Sequence, residues 1–143
     1  TYIDNYFARY AGVKNYINET IERARETGEV STLLGRKRRL EEINAGNANV
    51  RGFAERMAIN TPIQGSAADL IKLAMIRMDQ ALKQEKMESR MLVSVHDEIL
   101  FEVPEHELTL LMELARRVME GVFELKVPLK VNIEQGNNWA DAH

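Results

Sequence analysis

The chain has 143 residues, 45% hydrophobic and 29% charged, which suits one soluble globular core, standing alone or as a piece of a larger protein. No apolar run approaches the ~18 residues of a membrane span, no secretory signal pattern opens the chain, the lack of cysteine excludes disulfides and thiolate metal sites, and three histidines are too few for most zinc constellations. The net charge of −3 is uneven: residues 1–60 hold ten Lys/Arg against eight Asp/Glu, residues 61–143 hold nine against fourteen, and Arg36, Lys37, Arg38 and Arg39 form one basic run, so a mildly acidic chain can still present a basic face.

Residues 2–10 and 12–27 carry Tyr6, Phe7 and Tyr10, then Val13, Tyr16, Ile17, Ile21 and Ala24, at three- and four-residue spacing, which predicts two helices. Gly12 is the expected break between them and Gly28 the expected C-cap. The aromatics read as core packing rather than a stacking surface. Residues 30–34 are short and extended, Gly35 turns the chain, and residues 36–40 follow. The result is a small ribbon with one basic strand, whose cations suit phosphate oxygens or plain solvated surface.

Residues 44–49 form a loop by composition. A long helical stretch runs from about 50 to 85, with an interruption expected near Thr61-Pro62. Its second half shows an apolar stripe at Ala67, Leu70, Ile71, Ala74, Met78 and Leu82. Arg56, Asn60 and Gln64 lie on another line, spaced by four. If the helix continues past Pro62 they form a polar ridge ~12 Å long at 1.5 Å rise per residue. That length matches three to four base-pair steps of ~3.4 Å. All three side chains can donate to minor-groove acceptors, which sit in nearly the same place for every base pair. Such a ridge tests base-pair shape without reading sequence. The competing arrangement is a capping box at Thr61-Pro62-Ile63-Gln64, with Gln64 turned back to the backbone and Arg56 paired to a carboxylate. On spacing alone that box is the commoner of the two.

Residues 91–95 and 99–103 are strand-forming runs flanking His96, Asp97 and Glu98. A charge cluster there belongs at a hairpin tip, with Asp97 held at a sheet edge. Hard cations take carboxylate oxygens, and Mg²⁺ sites combine one or two carboxylates with water and phosphates. Alternation along a strand turns Asp97 and Glu98 to opposite faces, so they need not share an ion. Pro104 ends the second strand and a helix is expected over 105–124. Residues 129–133 alternate as a final strand, and Gly136-Asn137-Asn138-Trp139 forms a polar turn. The order helix, strand, strand, helix, strand predicts an α+β fold whose antiparallel sheet carries helices on one face.

Three segments resemble known motifs. The run Ala54-Glu55-Arg56-Met57-Ala58-Ile59-Asn60-Thr61-Pro62-Ile63-Gln64-Gly65-Ser66-Ala67-Ala68-Asp69 resembles a signature of family A DNA polymerases, the bacterial DNA polymerase I type. Val95-His96-Asp97-Glu98 is similar to that family's last polymerase motif, and Thr32-Leu33-Leu34-Gly35-Arg36-Lys37-Arg38 to its Thr-x-x-Gly-Arg-Arg-Arg segment. Gly136 to His143 looks like the family's C-terminus. The likeness spans essentially the whole chain and favours the ridge over the capping box. Glu41, usually Pro, and Gly46 and Ala48, usually larger, depart from the pattern.

The resemblance implies roles residue by residue. Asp97 is one of two aspartates that bind catalytic Mg²⁺, Glu98 plays a lesser part beside it, and His96 sits near the primer terminus. Arg56, Asn60 and Gln64 contact primer-template DNA on the minor-groove side. Arg36, Lys37 and Arg38, with Arg51, lie near the DNA backbone. Residues 1–50 correspond to fingers-derived helices and the basic ribbon, and residues 51–143 to the palm portion with the long kinked helix, the catalytic hairpin, a helix and the final strand. The implied reaction, in DNA replication and repair, transfers a nucleotide from a dNTP to a primer 3′-hydroxyl. One Mg²⁺ lowers the pKa of that hydroxyl and the other holds the triphosphate.

The family also needs a second metal-binding Asp and a helix that grips the triphosphate, both expected N-terminal to Thr1. Asp4, Asp69 and Asp79 sit in helical contexts that do not match. The isolated chain is therefore expected to be inactive without the missing N-terminal part, and the parent to be cytoplasmic, bacterial or phage-encoded, with no membrane partner. The alternatives are a non-catalytic, polymerase-derived DNA-binding module, and a phosphohydrolase using the His-Asp pair, for which His106 and His143 offer poor support.

Overall fold

The computed structural model describes residues 2–142, and the chain divides into two compact units, Thr1–Asp69 and Leu70–His143. His143, the last residue of the terminal motif, lies outside the described residues. The fold is α+β, built from helices and two small antiparallel ribbons. No helix among the described residues is long and apolar enough to cross a membrane.

The first unit opens with helices α1 (Tyr2–Arg9) and α2 (Ala11–Thr27). The break between them is Tyr10 (φ −117°, ψ 57°), not Gly12, which lies within the first turn of α2. Gly28 caps α2 in the left-handed conformation (φ 71°), its N–H donating to the Ala24 carbonyl at 2.8 Å. The cap turns the chain into strand β1 (Glu29–Ser31), paired antiparallel with β2 (Lys37–Arg39). A 3₁₀ turn at Glu41–Asn44 follows, and the Asn47 side chain caps the next helix by accepting the Asn49 and Val50 N–H groups at 2.9 and 3.4 Å. The core of this unit is Ala24, Val30, Leu40, Ile43, Ala54 and Ala58.

The aromatic face of α1 does not join that core. No residue of α1 is buried, and Tyr6, Tyr10 and Val13 are 44%, 47% and 40% exposed. Tyr6 instead meets Phe7 edge-on at 5.5 Å and Tyr10 at 5.0 Å. Periodicity identifies an apolar face but not what covers it. Burial begins further along α2, half-complete at Ile17 and Ile21 and full at Ala24.

Helix α3 (Ala48–Gln84) is one helix of 37 residues with Pro62 inside it, where the sequence suggested an interruption. An interior proline forfeits a backbone hydrogen bond and crowds the preceding turn, at a cost of ~3 kcal/mol. Side-chain bonds to the β1–β2 turn, described below, hold the turn that follows Pro62. Thr61 is thus mid-helix and begins no capping box. The buried line also differs from the predicted stripe. Ala67 is exposed while Ser66 and Asp69 are buried, and the apolar burial starts at Ala74, Met78 and Leu82.

In the second unit, β3 (Arg90–Val95) and β4 (Glu98–Glu102) form an antiparallel hairpin. Met78 and Leu82 of α3 meet Leu111, Leu114 and Ala115 of helix α4 (Leu108–Glu120), with Met91, Phe101 and Val103 of the hairpin segment packed against them. Helices thus cover one face of the hairpin, while Leu92 and Val93 are exposed. Two expectations fail here. Helix α4 stops at Glu120, where the Gly121 N–H bonds to the Arg117 carbonyl, rather than at 124. Residues 129–133 are not a strand: the Val131 N–H donates to the Glu120 carboxylate at 3.1 Å, and Ile133 packs on the core without a ladder. Alternation marks a segment that can pair, and among the described residues no strand pairs with this one.

Buried Glu107 ties the start of β3 to the start of α4. Its carboxylate accepts the Ser89 hydroxyl at 2.5 Å and the Glu88 and Ser89 N–H groups at 2.8 and 2.9 Å. The hydroxyl bond first, then the backbone donors, hold its pKa below the ordinary carboxylate value. A depressed folded-state pKa contributes stability that is present above the unfolded value of about 4.3 and is lost as pH falls through the folded value. Glu107→Gln should therefore lower Tm at pH 7, with the gap to wild type closing as pH drops below about 4. Thermal denaturation across a pH series checks this, and two curves that stay parallel to low pH would contradict it.

Candidate functional site

In the hairpin, Val95 pairs with Glu98, which leaves His96 and Asp97 as a two-residue loop. Glu98 is the first residue of β4 rather than part of the tip. His96 has φ +53°, a left-handed value that non-glycine residues adopt at a cost of about 1–3 kcal/mol when the surroundings enforce it. Tight pairing on both sides supplies that enforcement. The register shift between Met91 and Val93 adds a local irregularity of the kind that increases strand twist and re-aims side chains. His96, Asp97 and Glu98 are all exposed, and among the described residues neither His96 nor Asp97 makes a hydrogen bond or ion pair. Asp97 is a hard oxygen donor on a stiff support, which fits one ligand of a Mg²⁺ site completed by water and phosphate. No group of three or more potential metal ligands converges among the described residues. The hairpin therefore offers a partial donor set.

In the first unit, Arg56, Asn60 and Gln64 are exposed along α3. Continuity of α3 through Pro62 puts all three on one line. Among the described residues, no side-chain bond turns Gln64 back to the backbone and Arg56 has no carboxylate partner. The neighbouring acid, Glu55, is taken by Arg25 at 2.5 Å. The Arg56 guanidinium lies 5.9 Å from the Phe53 ring centroid, a cation–π contact that leaves its donors available.

The basic run is less free than its charge suggests. Arg36 donates from Nε to Asp69 at 2.9 Å and from Nη2 to the Gly65 carbonyl at 3.2 Å. Lys37 pairs with Glu29 across the ribbon. Arg38 reaches back along α3 to the Thr61 hydroxyl at 3.4 Å and to the Met57 sulfur at 4.0 Å. Arg51 braces the loop before α3 through the Ala45 carbonyl at 2.9 Å. Arg39 is exposed. The ribbon and the ridge thus meet within one unit, because Met57 and Thr61 occupy the helical line beside Arg56 and Asn60.

Sequence reasoning missed the residues that make this junction. Thr32 donates its hydroxyl to Asp69 Oδ2 at 2.6 Å, and the Leu33 N–H donates to Ser66 Oγ at 2.9 Å. Thr32, Ser66 and Asp69 are all buried. A Cβ on Gly65 would lie 2.7 Å from Thr32 Cγ2, so this glycine allows the ribbon turn to approach the helix. The spacing was visible, since Ser66 and Asp69 share a helix face at a three-residue interval, but only their burial, which the structure shows, calls for a polar partner.

Comparison with known proteins adds the following. The sequence model of DNA polymerase family A matches residues 1–141. DNA polymerase I of Streptococcus pneumoniae is 50% identical over 141 residues, 99% of this chain and 16% of that protein. DNA polymerase I of Bacillus caldotenax is 49% identical over 141 residues, with the same coverage. Among solved structures, the POL domain of Pol1 from M. smegmatis, in complex with DNA primer-template and dNTP, superposes with a TM-score of 0.95 at 48% identity, covering 98% of this chain and 25% of that one. The chain thus spans 16% of the length of these curated relatives.

The two glycines Gly12 and Gly65 should respond oppositely to alanine. Gly12 is helical with open space around its Cβ position. Gly12→Ala should leave stability unchanged or raise it by about 0.5 kcal/mol. Gly65→Ala should cost about 1–3 kcal/mol, because the methyl group displaces a threonine held by its own hydrogen bond. Chemical denaturation of both variants measures the contrast.

Proposed function

The chain belongs to DNA polymerase family A, and from that premise we propose that it is the C-terminal part of a template-directed DNA polymerase. The parent protein would act in bacterial DNA replication or repair, in the cytoplasm, with primer-template DNA and dNTPs as its substrates. The observation that carries the reading is the exposed Asp97 on a two-residue loop inside the family's Val-His-Asp-Glu motif, within a chain matched by the family over nearly its whole length. Residues 1–50 are assigned to the fingers and residues 51–143 to the palm.

In this reading Asp97 is a ligand of catalytic Mg²⁺, with Glu98 secondary and His96 a contact near the primer terminus. When bound, two such ions activate the primer hydroxyl and neutralise the triphosphate. The protein's share is positioning and charge stabilisation, which calls for a carboxylate that cannot swing away. The short hairpin loop supplies that stiffness. Arg56, Asn60 and Gln64 donate to minor-groove acceptors, which accept any correctly shaped pair. Arg36, Lys37, Arg38 and Arg51 meet backbone phosphates, giving affinity and register without sequence preference. The second metal-binding aspartate and the triphosphate-gripping helix belong to the part of the polymerase outside these 143 residues.

Two outcomes follow. In the intact polymerase, Asp97→Ala should lower kcat by about 10³-fold or more while primer-template affinity stays within about threefold, since the residue serves charge stabilisation rather than DNA binding. Steady-state incorporation and a DNA-binding titration read both quantities, and near-normal kcat would remove Asp97 from the metal site. Separately, the isolated 143-residue chain should give no primer extension with Mg²⁺ and dNTPs. Extension by a preparation free of contaminating polymerase would show that these residues suffice for catalysis.

A further inference from the structure

The ribbon formed by β1 and β2 has three residue pairs, and an isolated two-stranded ribbon is marginal in water. Its turn must be held by something else if its cations are to keep a defined position. What holds it is a set of side-chain bonds centred on one carboxylate. Asp69 Oδ2 accepts the Thr32 hydroxyl at 2.6 Å and Oδ1 accepts Arg36 Nε at 2.9 Å. Thr32 Oγ1 in turn accepts the Arg36 N–H at 3.1 Å, closing the turn on itself. Ser66 Oγ accepts the Leu33 N–H and donates to the Pro62 carbonyl.

The Asp69 side chain is 9% exposed and that of Arg36 is 55% exposed. The carboxylate is the fixed member of the pair and the guanidinium the outward one. Arg36 spends Nε on Asp69 and one Nη2 hydrogen on the Gly65 carbonyl, so the Nη1 side of its fork has no partner among the described residues. A guanidinium held along one edge and open along the other is pre-organised for a phosphate oxygen. Gly65 adjoins Gln64, the last member of the ridge, so the same bonds fix the ribbon's cations against the ridge.

We propose that Asp69 is a positioning residue for nucleic-acid binding, which clamps the β1–β2 turn onto α3 through Thr32 and Arg36 and so presents Arg36 to the phosphate backbone beside the Gln64 end of the ridge. The proposal rests on the nucleic-acid reading given above. Both oxygens of Asp69 accept, so Asn, with one oxygen, cannot keep both bonds. Valine at position 32 removes the hydroxyl at nearly constant shape, and serine keeps it.

The test uses the intact polymerase carrying Asp69→Asn, Thr32→Val or Thr32→Ser, with primer-template affinity measured over a salt series beside KM for DNA, kcat and Tm. Asp69→Asn and Thr32→Val should weaken DNA binding about tenfold, raise KM to match, and flatten the salt slope by about 1, with kcat at saturating DNA retained. Thr32→Ser should match wild type. Should Asp69→Asn not fold, Thr32→Val, which retains the charge, carries the same readouts. Variants that lose Tm but, while folded, bind DNA with wild-type affinity and slope overturn the positioning role and leave a structural one. Wild-type protein without salt-dependent primer-template binding overturns the nucleic-acid reading itself, and the two failures are distinct.

Discussion

The structure depends on keeping α3 helical across Pro62. An interior proline leaves one carbonyl without its usual donor and pushes on the turn before it. Here the next turn is held from within and from outside: inside α3 the Ser66 hydroxyl donates to the Pro62 carbonyl, and from outside the β1–β2 turn bonds to Ser66 and Asp69. The Thr32–Asp69 bond is buried and the two at Ser66 are partly buried, and a buried partner left unpaired would cost more than its bond contributes. If α3 broke at Thr61-Pro62, Gln64 would leave the line of Arg56 and Asn60 and the ribbon would lose its seat. The local breaker and its tertiary support thus decide whether a polar ridge exists at all.

The aspartates show how environment divides one chemistry into two roles. Asp69 is buried and takes two side-chain donors, so its charge is spent inside the protein. Asp97 sits exposed on a two-residue loop, with its charge available to a cation. Glu107 is a third carboxylate in the first manner, buried and saturated by the hydroxyl and backbone donors at Glu88 and Ser89. Buried carboxylates with full donor sets stabilise, while an exposed one on a stiff support is free to bind. The net charge of −3 therefore says little about the ligand, because it counts acids that are buried and already paired together with charges that face solvent.

Much of the organisation was legible in the sequence. Period-3.6 apolar spacing located α2, α3 and α4, Gly28 marked a real cap, and the two strand-forming runs flanking a charged centre were a hairpin. The spacing of Arg56, Asn60 and Gln64 was readable as a line, and the motifs alone pointed to the family. Where the reading went astray, local signals met tertiary ones. Tyr10 rather than Gly12 broke the first helices, because glycine permits a break without requiring one. Residues 129–133 alternate like a strand yet pair with nothing among the described residues.

The sequence by itself determined most of the element types, the family and the residues that can bear charge around the hairpin tip, because these follow from side-chain chemistry at short range. It did not determine which faces would be covered, as the exposed tyrosines of α1 show. Nor did it show that Arg36 is held by Asp69 across 33 positions of chain. Those facts belong to tertiary structure alone. A hydrogen-bond partner or a covering layer is set by which distant segment arrives there, and no local pattern records that arrival.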